Sequence, residues 1–180
     1  MPAAMFTIEE SIKIVPYHSI WPAYYEAEKP LLQSVFAQRL RGIEHIGSTS
    51  VVGLAAKPIV DIMIGLPDLM ITIWEQQQLL LLGYEYFGQA GVPGRLYARK
   101  RGRKNYNLQI VCYEEMVWFN NLAIRDYLRA HPTEAAVYAA LKYAIVKEGI
   151  RSLLAYTEHK YPFMRQLRQR AGRWYSRAFL

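Results

Sequence analysis

The residues best suited to chemistry lie in the segment 45–65, where a turn of small residues separates two apolar stretches. Glycine and serine in such a turn let the backbone approach a ligand, and they offer N–H groups and hydroxyls to an anion. The same residues are also common in plain tight turns, so composition alone leaves both interpretations open. The binding interpretation predicts phosphate contacts from Gly47, Ser48, Thr49 and Ser50.

Asp61 lies on the second apolar stretch, where its carboxylate could hold a divalent metal against the same phosphates. Mg²⁺ or Mn²⁺ is the expected cofactor, with Asp61 and Glu44 as candidate metal ligands. If 43–46 is a strand, Glu44 and His45 point to opposite faces, so at most one of them joins Asp61. His45 is predicted either to contact phosphate or to be a satisfied core histidine. Lys57 could reach solvent or neutralise a phosphate.

The pair Gly47-Ser48 followed by Asp61 on a strand resembles the signature of the nucleotidyltransferase superfamily related to DNA polymerase beta. A more specific resemblance is to the GrpB family, and it extends from about residue 12 to residue 165. The segments that carry it are 14–17, 21–22, 45–50, 53–61, 83–84, 91–95, 125–129 and 156–160.

The resemblance implies a nucleotidyltransferase-like fold, with Asp61 and Lys57 in catalytic positions. Attack on the alpha-phosphate of a nucleoside triphosphate normally uses two metal ions and several carboxylates. Superfamily members with full activity carry a second acid where this chain has Met63. The strand 106–111 supplies Asn107 and Gln109 where a third acid, or the family's histidines, would be expected. A thioether does not replace a carboxylate as a ligand for Mg²⁺.

Positive charge is concentrated in two segments, although the whole chain has a net charge of +7. The segments 95–104 and 165–177 contain six and five cations without an acid, and the remainder is net negative. A polyanion is therefore expected to meet the protein at one or two places, unless these cations are simply solvated. The predicted phosphate contacts outside the turn are Arg95, Arg99, Arg125 and Lys160, with an ion pair as the alternative for Lys160.

Composition favours a single GrpB-like domain spanning 1–180, because 180 residues with 52% hydrophobic content suit one core. The expected parts are a strand-bearing core over about 12–112, a helical part over about 114–170 and a basic aromatic tail over 171–180. The single Cys112 cannot form an internal disulfide, no apolar run approaches a membrane span, and no leader is recognisable. These features predict a cytoplasmic protein with no membrane partner, and leave the oligomeric state unknown.

Hydrophobic periodicity predicts an α+β fold, with strands preceding helices. The region 11–15 is expected to be an edge strand or an extended arm, and Pro30 is expected to kink or divide the first helix. Thr133 is the expected N-cap of the helix that follows His131-Pro132. Strands are predicted at 43–46, 59–64, 84–87, 95–100 and 106–112, and helices at 21–40, 70–82, 114–130, 134–146 and 156–170.

Three functions are consistent with these features. The first is an enzyme that binds a nucleoside triphosphate with a metal on Asp61 and transfers a nucleotidyl group. The second is a degenerate relative that binds a nucleotide or another phosphorylated small molecule without turnover, which Met63, Asn107 and Gln109 favour. The third is a nucleic-acid-binding module that uses the arginine clusters for phosphate contacts.

Overall fold

A computed structural model describes residues 10–179, and within them the contacts divide the chain into two compact units. The sheet unit comprises residues 19–46 and 59–119, and the helical unit comprises residues 10–18, 47–58 and 120–179. Each unit has its own secondary structure and its own buried side chains. The expectation of one domain over 1–180 stays a prediction.

The sheet unit contains a five-stranded mixed sheet in the order β1-β2-β5-β4-β3. Its central strands β2 and β5 run parallel, and the other neighbours are antiparallel. The strands are β1 (Gly42–Ile46), β2 (Val60–Leu66), β3 (Tyr84–Tyr86), β4 (Arg95–Lys100) and β5 (Tyr106–Cys112). Together with the helices they confirm the predicted α+β class, and the bounds of β4 and β5 agree with those predicted from the sequence.

Helix α1 (Ile20–Phe36) packs on the sheet through a buried apolar stripe that includes Trp21, Leu32 and Phe36. Of the two effects expected of Pro30, division of the helix is wrong, because the helix is continuous through that position, and the kink stays a prediction. Because Pro30 has no N–H, the backbone carbonyl one turn earlier lacks its usual helical partner. Pro30 is exposed, so this carbonyl is near solvent.

Helix α2 (Ile73–Leu81) begins with a capping box, in which Thr72 and Glu75 each satisfy a backbone N–H of the other. The buried Glu75 carboxylate also accepts two hydrogen bonds from Arg39, at 2.8 and 2.7 Å. After the helix, Gly83 adopts a φ of +88°, which glycine reaches without steric cost. These local interactions fix both ends of a helix only nine residues long.

Helix α3 (Met116–Ala130) starts in the sheet unit and continues in the helical unit. Near its start, Trp118 and Tyr113 make an edge-to-face pair over Gly42 and Gly65, which are register partners on β1 and β2. A Cβ atom added at Gly65 would lie 2.7 Å from Tyr113 Cδ2. Glycine is therefore required here by the close approach of the two rings.

The helical unit is built from the rest of α3 with α4 (Pro132–Lys147) and α5 (Leu153–Phe179). The N-cap of α4 is His131 and Pro132 takes the first helical position, so the predicted Thr133 cap is wrong by two residues. Proline suits that position because its missing N–H would have no intrahelical partner there. One core cluster of this unit contains Leu54, Tyr127, Tyr138 and Leu167.

The segments at the two ends of the described chain also belong to the helical unit. Residues 11–15 form an extended arm, in which Val15 bridges to Ala56 in antiparallel fashion. Residues 171–179, expected to be a tail, instead continue α5. Trp174 and Tyr175 of that stretch pack against the core cluster, and this packing accounts for the longer helix.

Candidate functional site

One face of the sheet carries an unusual number of polar side chains, and we call it the polar face. Because register partners share a face, the β1–β2–β5–β4 pairing places Glu44, Asp61, Asn107 and Arg99 on this side. The complete set of polar and charged residues on this face in strands β1 to β5 is Glu44, Asp61, Asn107, Gln109, Arg95, Tyr97, Arg99 and Glu85. Sheet faces are usually apolar where they are buried, so this face is a candidate site.

Asn107 connects the charged groups of the polar face. Its Nδ2 donates to Asp61 Oδ1 at 2.8 Å, and its Oδ1 accepts from Tyr97 Oη at 2.8 Å and from Arg101 Nη2 at 2.9 Å. The Asn107 side chain therefore bridges a positive group, the Arg101 guanidinium, and a negative group, the Asp61 carboxylate. This network orients Asp61, but it also occupies one of the carboxylate oxygens that a metal would need.

Arg95 lies on the same face, with its guanidinium 5.2 Å from the centre of the Tyr97 ring. Its Nε is buried without a hydrogen-bond partner among the described residues. Burial lowers the pKa of the Arg95 guanidinium, while Tyr97 and Asp61 act in the opposite direction. Arg95 therefore lies on the polar face as a cation beside Tyr97, and its predicted phosphate contact stays a prediction.

Glu44 and His45, the two candidates on β1, lie on opposite faces of the sheet, as the alternation of side chains along a strand requires. Glu44 pairs with Met63 and lies on the polar face, one register step from Asp61. His45 lies on the other face, where it is 7% exposed and stacks on Tyr25 of α1 with ring centroids 5.1 Å apart. The structure therefore brings Glu44 but not His45 to the side of Asp61, and it places His45 among the residues packed under α1.

The polar face fits a two-metal centre poorly. Met63 is the register partner of Glu44, lies two residues from Asp61 on β2, and is completely buried. Within residues 10–179 there is no group of three or more histidine, cysteine, aspartate and glutamate side chains that could hold a metal. Mg²⁺ and Mn²⁺ favour several oxygen ligands, and a nearby Arg95 adds positive charge. We derive no catalytic step through a metal from this arrangement.

The glycine-serine turn belongs to the helical unit. Gly47 has a φ of +70°, and Ser48–Ser50 form one turn of 3-10 helix. Ser50 Oγ donates to the Gly47 carbonyl at 2.6 Å, and both Ser50 and Thr49 are buried. Of the four predicted phosphate-binding residues, Gly47 is exposed and Ser48 is half-buried, so these two present the accessible part of the turn.

Two cations that the sequence interpretation missed contact this turn. Lys142 of α4 is 2% exposed, and its Nζ donates to Ser48 Oγ at 3.0 Å and to the Ala55 carbonyl. Arg129 of α3 donates from Nε and Nη2 to the Ser50 carbonyl at 3.0 and 2.8 Å. The sequence signal for Lys142 is its position on the buried stripe of α4, between Tyr138 and Ile145.

The other predicted cations have different partners. Lys57 lies 3.6 Å from Glu10 Oε2, and Arg125 Nε donates to Asp126 at 2.7 Å. Lys160 lies 4.7 Å from the centre of the Tyr156 ring. These three contacts do not include the 47–50 turn, and no phosphate role for these residues follows from them.

The cationic side chains of the basic segment 95–104 lie on both faces of the sheet. Arg99 points to the polar face, where it pairs with Glu85 at 3.1 Å and lies over the Phe87 ring. Lys100 points to the opposite face and pairs with Glu28 of α1 at 2.8 Å. In the second basic segment, Arg170 pairs with Glu134 at 2.9 Å. A nucleic-acid contact by either segment stays a prediction.

The sheet and the cationic turn define an α+β protein with a candidate anion site at a glycine-serine turn. The model of the family described as GrpB protein matches residues 11–170. The chain belongs to the GrpB family.

Two curated bacterial proteins show how far the similarity extends. UPF0157 protein YqkA of Bacillus subtilis is 33% identical over 168 residues, which cover 92% of this chain. The chain spans 49% of the length of that relative. Glutamate-rich protein GrpB of Alkalihalophilus pseudofirmus is 26% identical over 160 residues, covering 86% of this chain and 92% of that protein.

Solved structures support the same assignment. The crystal structure of conserved protein GrpB from Enterococcus faecalis matches with a TM-score of 0.84 and 31% identity, covering 91% of this chain and 99% of that chain. Separately, in the part of the chain that the structure describes, no helix has the length and apolar character needed to cross a membrane.

Proposed function

We propose that this GrpB-family protein binds a phosphate group of a nucleoside triphosphate or another phosphorylated small molecule at the 47–50 turn. The observation that carries the proposal is the contact of the buried Lys142 ammonium with Ser48 Oγ at 3.0 Å. A cation placed behind a glycine-serine turn supplies charge where the backbone and hydroxyl already favour an anion.

The hydrogen-bond directions at the turn suit a phosphate. Lys142 has no acceptor atom, so Ser48 Oγ must accept in their contact and keeps its own proton available for an acceptor on a ligand. Arg129 holds the Ser50 carbonyl through Nε and Nη2, while its Nη1 lies 3.4 Å from Asp126 Oδ1. In this proposal Gly47 and Ser48 contact the ligand, Arg129 positions the turn, and Lys142 also stabilises the charge of the ligand.

Nucleotidyl transfer is a further step that the proposal does not require. The polar face presents Asp61 and Glu44, while its third acid, Glu85, is on β3 and pairs with Arg99, and the described residues contain no group of three possible metal ligands. We therefore propose binding without two-metal turnover as the function to test first. An effect of Mg²⁺ or Mn²⁺ on affinity, absent from an Asp61→Ala variant, would be the result that reopens the enzymatic alternative.

The test is isothermal titration of the protein with the four common ribonucleoside triphosphates, with and without Mg²⁺ or Mn²⁺. Lys142→Met is expected to weaken binding by roughly 10- to 100-fold, because a hydrogen bond from a charged group contributes about 1.5–3 kcal/mol. Ser48→Ala removes the hydroxyl and leaves the cation, and it is expected to weaken binding less.

Lys147→Met is the matched control, because it removes the same charge from an exposed position at the end of α4. Circular dichroism of each variant separates a loss of binding from a loss of folding. Absence of binding by the unmodified protein, or equal weakening by the Lys142 and Lys147 variants, would contradict a phosphate site at the turn.

A further inference from the structure

We infer that two copies of this chain form a two-fold dimer through the outer face of α2, in the sheet unit. That face is apolar although it is exposed. We call it the α2 patch, and it consists of the large apolar side chains that α2 and the loop before it leave 53% to 79% exposed, which are Met70, Ile73, Trp74, Leu80 and Leu81.

The two sides of α2 are reversed relative to an ordinary surface helix. On its inner side, α2 packs against α1 and β3 and buries Leu79 together with the Glu75 carboxylate, which pairs with Arg39. Its outer side carries an isoleucine, a tryptophan and two leucines. A surface helix normally turns its apolar stripe to the core and its charges to solvent. An exposed apolar patch of this kind is typical of a surface that another protein covers.

The area of the α2 patch suits a small dimer interface. Five large side chains at these exposures present roughly 600 Å² per protomer, the upper end of the ~300–600 Å² of the largest patch on a typical monomer. Two such patches in contact would bury roughly 1,200 Å², the lower end of the ~1,200–2,000 Å² of specific, stable interfaces. We therefore expect a dimer that dissociates in the micromolar range.

The charge of the α2 patch favours a second copy as the occupant. The segment 69–84 contains a single charged residue, Glu75, and its carboxylate is buried beside Arg39. The patch therefore brings no like charges together when it meets itself, although the whole chain has a net charge of +7. A strongly acidic or basic partner would gain no complementary charge from this segment.

The spacing of the α2 patch is symmetric about Gln77, which is itself exposed. A two-fold interface requires that if residue i contacts j of the partner, then j contacts i of the partner. Antiparallel α2 helices that cross at Gln77 would pair Ile73 with the partner's Leu81, four residues to either side. They would likewise pair Trp74 with the partner's Leu80, three residues to either side. Gln77 would meet its own copy, and an amide both donates and accepts hydrogen bonds, so this central pair satisfies itself.

Sedimentation velocity at protein concentrations from roughly 1 to 200 μM tests the dimer. The mass is expected to rise from the 20.9 kDa of one chain toward twice that value. Leu81→Glu should weaken association at least tenfold, because it would bury a carboxylate against apolar side chains. The matched control is Leu154→Glu on α5, which charges another exposed leucine and should change association less than threefold. Circular dichroism of both variants checks that they fold.

Mixing two variants tests the antiparallel pairing. Ile73→Lys and Leu81→Glu each place a charge without an opposite charge in the interface, so each protein alone is expected to stay monomeric. In an equimolar mixture, the new lysine of one chain lies opposite the new glutamate of the other. The unchanged Leu81 and Ile73 of the two chains also still meet. The mixture is therefore expected to form a dimer at concentrations where neither variant does.

These measurements contain no phosphate ligand, so they are independent of the proposed function. A monomer at every concentration, or equal weakening by Leu81→Glu and Leu154→Glu, would overturn the inference. A mixture of the Ile73 and Leu81 variants that stays monomeric would also overturn it, because the two-fold pairing would then be wrong.

Discussion

Replacing Gly65 with alanine tests the packing that underlies the sheet unit. The new Cβ would lie 2.7 Å from Tyr113 Cδ2 and 2.9 Å from Trp118 Cζ3. Ordinary carbon contacts are about 3.5–4.0 Å, so each ring would have to move by roughly 0.6 Å or more. Trp118 is 4% exposed and the two rings pack edge to face, which leaves little room for that movement.

The expected cost combines two opposing effects. Overpacking of a close-packed core costs ~1–3 kcal/mol, while replacing glycine restricts the unfolded chain and returns ~0.4–1 kcal/mol. We therefore expect Gly65→Ala to reduce the free energy of unfolding by about 1–2 kcal/mol. Urea denaturation followed by circular dichroism measures this directly.

The control is Gly172→Ala within α5, where an added Cβ would meet no atom within 4 Å. It should stabilise the protein by up to ~1 kcal/mol, because alanine favours the helix. The double variant Gly65→Ala with Trp118→Leu should lose less free energy of unfolding than the sum of the two single losses, since the smaller side chain leaves space for the methyl group. A neutral Gly65→Ala, or fully additive effects in the combined variant, would refute the steric argument.

Three further predictions concern a helix cap, the thiol and the polar face. Thr72→Ala should destabilise by ~1 kcal/mol in urea denaturation, because the Glu75 N–H loses its cap; an unchanged midpoint would contradict this. Burial, followed by the charge of Glu115, raises the pKa of the Cys112 thiol, so iodoacetamide should modify it more slowly than free cysteine at pH 8. Asn107→Leu should lower the free energy of unfolding by about 1–3 kcal/mol, because it removes the hydrogen bond to Asp61 Oδ1 and the acceptor of Arg101 Nη2. Urea denaturation measures this change, and an unchanged midpoint would refute the bridging role of Asn107.

The sequence predicted the strands well because their signals are local. Runs such as 95–100 and 106–112 combine β-forming side chains with turn residues at both ends, and the structure keeps these bounds. The strand period also correctly separated Glu44 from His45. The sequence of β1 could not show which of the two residues is buried under α1. Tyr25 of α1 covers the face that carries His45, and no pattern in β1 alone identifies that face.

The errors arose where a distant contact decided the result. Pro30 remains inside α1 because the packing of the whole helix outweighs one missing hydrogen bond. Lys142 was not among the predicted site residues, because its contact with Ser48 joins positions 94 residues apart in the chain. Residues 171–179 were expected to be a tail, yet they continue α5, and Trp174 and Tyr175 pack on the core cluster.

The sheet order has a consequence for synthesis of the chain on the ribosome. β5 is the last strand to be made, but it lies in the middle of the sheet and joins the β1–β2 pair to the β3–β4 pair. Until residue 112 has left the exit tunnel, β2 and β4 therefore each expose an unpaired backbone edge. A truncation before β5 should consequently yield nascent chains that depend on chaperones, whereas the two hairpin pairs can form early because their contacts are local.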